Sequence, residues 1–406
     1  MNPSSSYFDP LIHTHSDSDL DLGLERLYSL ESIGLKDSEL GSVDQEKIAL
    51  FKNSIIFKDG KYMVDLPWYE EILEQVPSNH HVAIATLKRV VKGLQAKGLV
   101  EAYGDVFRQQ LRDGIIEKIV VHPSQYSNYV FIPHRAVVKT EQQVNTKLRI
   151  VFNCSLKIGG APSLNQASYP GIDLMASLFR LLCSFRSSKY VIIGDIAKAF
   201  LQIRLKSEAD RNRFAFFWEE KGKLQIYRYT SIVFGLSASP FILNYIIRHH
   251  ADQYEDDVCS RLLKSHFYMD NFIVTSSNLD ELREIYHTAV SRMAEGGFDL
   301  CSWQTNSDSL RQAMVEAGNS ASHECSEERV LGYLFNFKKD RLRLADFQLE
   351  SVKTKRELLS QVSKVFDPLC LFLPVTIRGR LLMRQTWEKE IGWDDTLPSD
   401  FVKKMG

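Results

Sequence analysis

Strand-like and helix-like segments alternate irregularly along the sequence, and this order constrains the fold more than any other feature. Runs of β-branched and aromatic residues predict strands at 127–138, 147–153, 190–195, 265–268, 272–275 and 329–335. Apolar residues at helical spacing predict helices at 84–94 and 279–293. The pair Ser239-Pro240 predicts the start of a third helix, which would run to about Tyr254. A doubly wound sheet would show a steady strand–helix–strand period, so the sequence instead predicts an α+β fold.

Two acidic positions stand beside strand-like segments in the middle of the chain. Asp195 closes the apolar run 190–195, where a charged side chain is costly unless a cation or a donor meets it. The same residue would also serve as the N-cap of a following helix. Asp270 and Asn271 form the predicted two-residue tip of a hairpin, and both residue types are common in ordinary turns. As a pair, the two carboxylates predict a site for two Mg²⁺ ions, which need only one or two protein carboxylates each.

Composition alone does not indicate a nucleic-acid partner. The 406 residues have a formal net charge of -1, and 44% of them are hydrophobic, which excludes disorder for the bulk of the chain. The first 60 residues are acidic, so the remainder is slightly basic. The six cysteines form no C-x-x-C pair, which argues against a zinc ribbon or a disulfide framework. Without a signal peptide or a long apolar run, the sequence predicts a soluble intracellular protein that makes no membrane contact.

Ten short motifs follow one another along the chain. They are GKYMVDLPW (60–68), IPHRAVV (132–138), KLRIVFN (147–153), SLNQ (163–166), DIAKAFLQI (195–203), FGLSASP (234–240), YMDN (268–271), GFDLCSW (297–303), LGY (331–333) and FDPL (366–369). Their joint order resembles the reverse transcriptases of LTR retrotransposons, specifically the Bel/Pao group, over roughly residues 24–405. The resemblance implies a right-hand polymerase with fingers, a palm built on an antiparallel sheet, and a partial thumb or connection.

Composition and the resemblance together predict a division of the chain into four parts. Residues 1–22 are rich in Ser, Asp and His and show little apolar periodicity, which predicts a flexible acidic leader. Residues 23–115 are expected to be an N-terminal helical region that leads into the fingers. Residues 116–340 would form the fingers and palm. Residues 341–406 would form the truncated start of the thumb or connection.

At the catalytic centre, the resemblance implies that Asp195, Asp270 and Asn271 are the catalytic positions. Asp195, Ile196 and Asp270 are the implied metal-binding positions, for two Mg²⁺ ions with Mn²⁺ as the alternative. Related elements usually carry Asp-Asp where this chain has Asp270-Asn271, so we expect reduced Mg²⁺ affinity or a preference for Mn²⁺. Cys301 stands where related elements often have a basic residue, so a lysine that could protonate pyrophosphate is not evident.

Five further residues are expected around the incoming nucleotide. Arg149 resembles the arginine that stacks on the nucleotide and binds its phosphates, and Lys147 would add charge, although both would also suit a solvated strand face. Phe200 resembles the aromatic residue that excludes a 2′-hydroxyl, whereas without the resemblance it reads as a core residue. Phe234 and Gly235 match the loop on the template-base side.

The primer end has its own candidate hairpin. Leu331, Gly332 and Tyr333 resemble the primer grip, but a Gly-Tyr hairpin is equally ordinary packing. Basic residues between 353 and 384 would suit a duplex backbone.

The function implied by the resemblance is RNA-directed DNA polymerase, a nucleotidyltransferase that uses deoxynucleoside triphosphates and an RNA or DNA template with a primer. The alternative is an inactive or co-opted nucleic-acid-binding relic, marked by Asn271. No Asp-Thr-Gly or Asp-Ser-Gly triplet occurs, which argues against a peptidase. Further expected partners are the protease, RNase H and integrase segments of a polyprotein, outside this chain. The expected location of the protein is a cytoplasmic particle or the nucleus.

Overall fold

The computed structural model describes residues 41–139, 147–319, 327–346, 350–398 and 401. Residues 47–406 form a unit separate from residues 1–46, and the description below concerns that larger unit. The leader expected at 1–22 lies outside the described residues. No helix in the described ranges is both long and apolar enough to cross a membrane.

Helices and strands are mixed along the chain, which confirms the α+β class. The helices in the described ranges are Ser42–Ser54 (α1), Glu70–Leu73 (α2), His80–Gln95 (α3), Val100–Arg112 (α4), Leu164–Ala167 (α5), Leu178–Ser187 (α6), Glu208–Asn212 (α7), Ser239–Ala251 (α8), Val258–Ser265 (α9), Leu279–Glu295 (α10), Asp308–Glu316 (α11), Lys355–Lys364 (α12) and Leu373–Glu388 (α13). Two further segments form 3-10 turns, Pro123–Asn128 and Ala199–Gln202.

The strands are short and pair mostly in antiparallel fashion. They are Ile56–Lys58 (β1), Lys61–Val64 (β2), Ile116–Ile119 (β3), His134–Lys139 (β4), Lys147–Phe152 (β5), Tyr190–Ile196 (β6), Arg204–Leu205 (β7), Ala215–Glu220 (β8), Lys223–Tyr229 (β9), Phe267–Tyr268 (β10), Asn271–Ser276 (β11), Leu300–Thr305 (β12), Glu327–Val330 (β13), Tyr333–Asn336 (β14) and Arg341–Leu344 (β15). One pair, β2 with β7, is parallel.

The central sheet has the order β10-β11-β6-β12 and is antiparallel throughout. Ile192 and Ile196 of β6 enter the main hydrophobic core. Val191 and Ile193, which point the other way, pack with Ile273 and with strands β13 and β14 in a second core. Because both faces are covered, β6 reads in the sequence as a continuous apolar run rather than an alternating one.

A buried histidine anchors the β4–β5 hairpin to its neighbours. The Tyr103 hydroxyl of α4 donates to Nδ1 of His134 at 2.6 Å, and Nε2 of His134 donates to the Phe217 carbonyl of β8 at 2.9 Å. Because the carbonyl can only accept, these partners assign the proton to Nε2. Burial lowers the pKa of His134 to about 4, so the ring is neutral near pH 7. His134 therefore links the first residue of β4 to both α4 and β8.

A buried carboxylate, Asp210, binds the C-terminal end of the GKYMVDLPW segment. Oδ1 of Asp210 accepts from Trp68 Nε1 at 2.6 Å, and Oδ2 accepts from the Leu66 amide at 3.0 Å. Burial raises the pKa of Asp210, and the two donors oppose that rise. The carboxylate thus joins residues that are more than 140 positions apart in the sequence.

We expect Asp210→Ala to lower the free energy of unfolding by about 3 kcal/mol, because it leaves two buried N–H donors without an acceptor. Urea denaturation measures the change. The matched control is Asp65→Ala, which removes a half-exposed ion pair with Lys206 at 2.8 Å. That variant should lose at most about 1 kcal/mol. Equal losses in the two variants would contradict the role given to Asp210.

Candidate active site

Asp195 lies at the carboxyl end of β6, level with Asn271 on β11 and with Cys301 on β12. Residues directly opposite in an antiparallel ladder share one face of the sheet, with Cβ atoms about 5 Å apart. The three side chains therefore meet at one end of the central sheet. Asp195 is not a helix N-cap, because the next helical segment is the 3-10 turn that begins at Ala199, four residues later.

The hairpin between β10 and β11 turns at Met269 and Asp270, one residue earlier than the sequence predicted. Asn271 already pairs within the ladder and is the first residue of β11. The register follows the opposed rings of Phe267 and Phe272, which are buried and stacked with centroids 4.9 Å apart. Met269 consequently takes the left-handed backbone, with φ of +56°. Such a conformation at a non-glycine residue persists only where the surrounding structure holds it.

Hydrogen bonds hold Asp270 beside Asp195. The Asp270 carbonyl accepts from the Ile196 amide at 2.9 Å, and its Oδ1 accepts from the Asn271 side-chain amide at 3.2 Å. Burial raises the pKa of Asp270, while its own amide and the positive charge of Arg149 oppose that rise. Arg149 is a residue of β5, so the β4–β5 hairpin lies near the same site.

A cleft of about 730 Å³ opens at this end of the sheet. Asp195, Ile196 and Asp270 line it together with Arg149 and Phe234. Polar residues from α4 and from the segment after β6 also line it: Asp105, Gln109, Gln110, Arg112 and Lys198. The structure therefore brings together five of the residues expected from the sequence. Of the side chain of Lys147, the described structure gives no account.

Phe200 and Gly235 adjoin the cleft through their neighbours. Phe200 lies in the 3-10 turn after β6 and packs edge to face on Phe234, with ring centroids 4.8 Å apart. Gly235 has φ of +107°, and a Cβ there would lie 2.6 Å from the Phe152 carbonyl oxygen. Glycine is therefore required for this loop to approach β5. Asn165 fixes the loop, because its side-chain amide donates to the Gly235 carbonyl at 2.9 Å.

The LGY segment forms the predicted hairpin, but none of its three residues lines the cleft. Leu331 and Gly332 form the tip between β13 and β14, both with positive φ. Tyr333 is buried, and its hydroxyl donates to Asp367 of the FDPL segment. A Cβ at Gly332 would lie 2.2 Å from the Phe366 ring, so the hairpin tip and the FDPL segment are in close contact.

Comparison with known proteins identifies the region that carries these residues. Residues 139–302, which contain both carboxylates and Arg149, match the family model described as reverse transcriptase (RNA-dependent DNA polymerase). Residues 354–406 match the model described as Pao retrotransposon-like RNaseH-like domain. The chain carries a Pao-type retrotransposon reverse transcriptase region. Residues 139–302 are the part of it that matches the RNA-dependent DNA polymerase family.

The fold of this reverse transcriptase region is shared with a solved structure of low sequence identity. The foamy viral protease-reverse transcriptase in complex with an RNA/DNA hybrid is 14% identical, with a TM-score of 0.50 over 76% of this chain and 36% of that one. The foamy viral dRH form with double-stranded DNA is 14% identical, with a TM-score of 0.49 over 93% and 62% of the two chains. The region thus spans less than two thirds of either chain. No curated protein matches it in sequence.

The donor set of the reverse transcriptase cleft fits a hard cation that is shared with a substrate. Asp195 and Asp270 line the cleft and offer carboxylate oxygens, whereas Asn271 does not line it and donates its side-chain amide to Asp270. Within the described ranges, no group of three or more His, Cys, Asp or Glu residues is arranged to hold a metal. Mg²⁺ needs only one or two carboxylates when substrate phosphates and water complete its coordination, so two carboxylates are sufficient.

Several residues of the reverse transcriptase site carried no role in the sequence-based prediction. Arg112 and Gln109 reach the cleft from α4, far in sequence from both carboxylates. Asn165 and Lys198 stand inside two of the quoted motifs, SLNQ and DIAKAFLQI, and that was the only signal for them. Their contacts depend on residues far away in the sequence, which no local pattern reveals.

Proposed function

We propose that this chain extends the 3′-hydroxyl of a primer with deoxynucleoside triphosphates on an RNA or DNA template. The observation that carries the proposal is the pair Asp195 and Asp270, which line one cleft with Arg149. Nucleotidyl transfer needs carboxylates for divalent cations beside positive charge for the nucleotide phosphates. All three residues fall within the segment that matches the reverse transcriptase model.

Asp195, Ile196 and Asp270 are the positions that we assign to two Mg²⁺ ions, with Mn²⁺ as the alternative. When bound, the ions activate the attacking hydroxyl and neutralise charge on the leaving pyrophosphate. Asn271 acts on this site through its hydrogen bond to Asp270. Because it supplies no negative charge, the site attracts divalent cations less strongly than an Asp-Asp pair would.

Around the nucleotide, Arg149 and Lys147 bind the phosphates, and the exposed position of the Arg149 side chain suits that role. Phe200 lies under the sugar and excludes a 2′-hydroxyl. Its edge-to-face contact with Phe234 supports a fixed ring position, which exclusion requires. Phe234 and the close-packed Gly235 form the side of the site that faces the template base.

The primer end and the division of the chain complete the proposal. Leu331, Gly332 and Tyr333 form the primer grip: the tip at Leu331 and Gly332 contacts the primer terminus, and buried Tyr333 supports the tip through its hydrogen bond to Asp367. Residues 116–340 are the fingers and palm, preceded by the helical region at 23–115, and β15 extends this part to residue 344. We propose a thumb or connection start after residue 344 rather than at 341, because β15 pairs with β14 and belongs to the same sheet. The RNaseH-like description of the family model at 354–406 is the competing assignment for this last segment.

A second function, nucleic-acid binding without turnover, is favoured by Asn271 alone. Primer extension on an RNA template, in Mg²⁺ and in Mn²⁺, decides between the two. We expect product in both metals from the unmodified protein and a faster reaction in Mn²⁺. Asn271→Asp should lower the Mg²⁺ concentration for half-maximal rate by about tenfold, since the added charge attracts the cation at short range.

The matched control is Asn278→Asp, which adds the same charge at the N-cap of α10, outside the cleft. Asp is as good an N-cap as Asn, so this variant should keep the original Mg²⁺ dependence. Product from Asn271→Asp but not from the unmodified protein would favour the inactive binding protein. No product from either, in either metal, would contradict the polymerase proposal.

A further inference from the structure

Lys198 is a cation of the cleft wall for which the proposed function has given no role. It stands three residues after Asp195 and lines the same cleft as Arg149 and Asp270. Its side chain is 52% exposed, and Nζ contacts Oδ2 of Asp113 at 2.8 Å. The ammonium group is therefore accessible from the cleft while it has a carboxylate partner.

The backbone holds Lys198 in a fixed place. Its φ is +52°, the left-handed region that a lysine rarely adopts. On its N-terminal side, the Ala197 amide donates to the Asp299 carbonyl at 2.8 Å, and the Gln202 side chain donates to the Ala197 carbonyl at 2.8 Å. On the other side, the Leu201 amide donates to the Lys198 carbonyl at 2.8 Å. The side chain is thus the part that can change partners.

The ion pair between Lys198 and Asp113 can break without leaving Asp113 unpaired. Asp113 is the C-cap residue of α4, where a negative charge is unfavourable next to the carbonyl end of the helix. The pKa of Asp113 is lowered, first by its hydrogen bond with Lys198 and then by that with Gln109. Gln109 donates to Oδ1 at 2.7 Å and would stay when the lysine moves. Arg204 also holds the main chain here, because it donates to the Asp113 carbonyl at 3.2 Å.

The charged residues along the cleft suit a nucleotide triphosphate that binds together with divalent cations. The acidic residues of the wall are Asp105, Asp195 and Asp270, and the basic ones are Arg112, Arg149 and Lys198. Asp105 is already paired with Arg108 at 2.7 Å, so its charge is largely neutralised within α4. An ammonium group is a compact phosphate ligand, which complements the planar guanidinium of Arg149.

We propose that Lys198 exchanges Asp113 for the triphosphate of the incoming nucleotide and acts as a further phosphate-binding cation beside Arg149 and Lys147. The inference rests on the proposed polymerase function, because it deepens the nucleotide site of that reaction. Without nucleotide, Lys198 is paired with Asp113, and this carboxylate competes with the nucleotide phosphates for the ammonium group. The two residues therefore have opposite effects on nucleotide affinity.

The test compares Lys198→Met with Asp113→Asn in primer extension. Lys198→Met should raise the KM for deoxynucleotides about tenfold, the expected loss for one charge-assisted hydrogen bond. Asp113→Asn should lower the KM, since it removes the competing carboxylate. The control is Lys206→Met, which breaks a lysine–aspartate pair of the same 2.8 Å length outside the cleft and should leave the KM unchanged.

A readout without catalysis separates this inference from the proposed function. Calorimetric titration with Mg²⁺ tripolyphosphate should give a Kd about tenfold higher for Lys198→Met than for the unmodified protein. If the unmodified protein extends no primer, the polymerase proposal fails and the titration alone decides. An unchanged KM or Kd in Lys198→Met, a raised one in Asp113→Asn, or changes confined to the melting temperature would overturn the exchange.

Discussion

Replacement of Asp195 by Asn should reduce primer extension about 1,000-fold or more and leave the fold intact. Asn has nearly the same shape, so the pairing of β6 with Asn271 and Cys301 would persist. What is lost is a carboxylate charge in a site assigned to divalent cations, and such sites supply several kcal/mol of transition-state stabilisation. Since each 1.36 kcal/mol is a factor of ten in rate, kcat falls by several decades. Steady-state extension on an RNA template measures the loss.

The matched control for this variant is Asp299→Asn. Asp299 immediately precedes β12, and it contacts the segment after β6 through its carbonyl, which accepts from the Ala197 amide at 2.8 Å. The substitution removes the same charge and leaves that bond in place, so extension should continue at close to the original rate. Thermal melting verifies that both variants are folded. Full activity in Asp195→Asn would refute the assignment of this carboxylate, and with it the polymerase proposal.

The central strand could be predicted from the sequence because its signal is local. Val191, Ile192 and Ile193 are all buried, since β6 is covered on both faces, and an apolar run of this kind is typical of such strands. Asp195 is conspicuous for the same reason, as a carboxylate at the end of that run. The approach of Asp270 to Asp195 has no local signal. It followed from the order of the motifs, and the ladder between β6 and β11 explains it physically.

The errors arose where packing outweighed local preference. Asp270 and Asn271 are the better turn formers, yet Met269 takes the left-handed position because the stacked phenylalanine pair sets the register. The strand predicted at 127–138 begins only at His134, after a 3-10 turn with Pro123 at its start. The single strand predicted at 329–335 is two strands joined at the Leu331–Gly332 tip.

Two contacts between distant residues have no signal in the sequence. Lys198 and Asp113 are 85 residues apart, and Tyr333 and Asp367 are 34 apart, so neither pair creates a periodic pattern. Lys198 lies in a motif, but Asp113 lies in a segment without one. Tyr333 and Asp367 lie in two different motifs. Only the folded chain reveals that these side chains meet.

Substitution of Phe200 by Val should relax the choice of sugar. If the ring occupies the space of a 2′-hydroxyl, its removal opens room for one oxygen atom, and we expect the preference for deoxynucleotides over ribonucleotides to fall about 100-fold. Phe200 is well placed for such a role, because it lies in a 3-10 turn whose Ala199 and Leu201 are buried. The ratio of kcat/KM for a deoxynucleotide and its ribonucleotide measures the effect.

Two comparisons make the result specific to the ring of Phe200. Phe200→Tyr keeps the ring and should keep the sugar preference, whereas loss of preference in both variants would indicate a general loosening of the turn. Phe234→Val removes the ring that packs on Phe200 at 4.8 Å between centroids, and it should reduce the preference less than Phe200→Val does. This order follows from exclusion, because the neighbour only restricts the rotamers of the ring that fills the space. An unchanged preference in Phe200→Val would show that the ring is simply part of the core, which is how it reads without the resemblance.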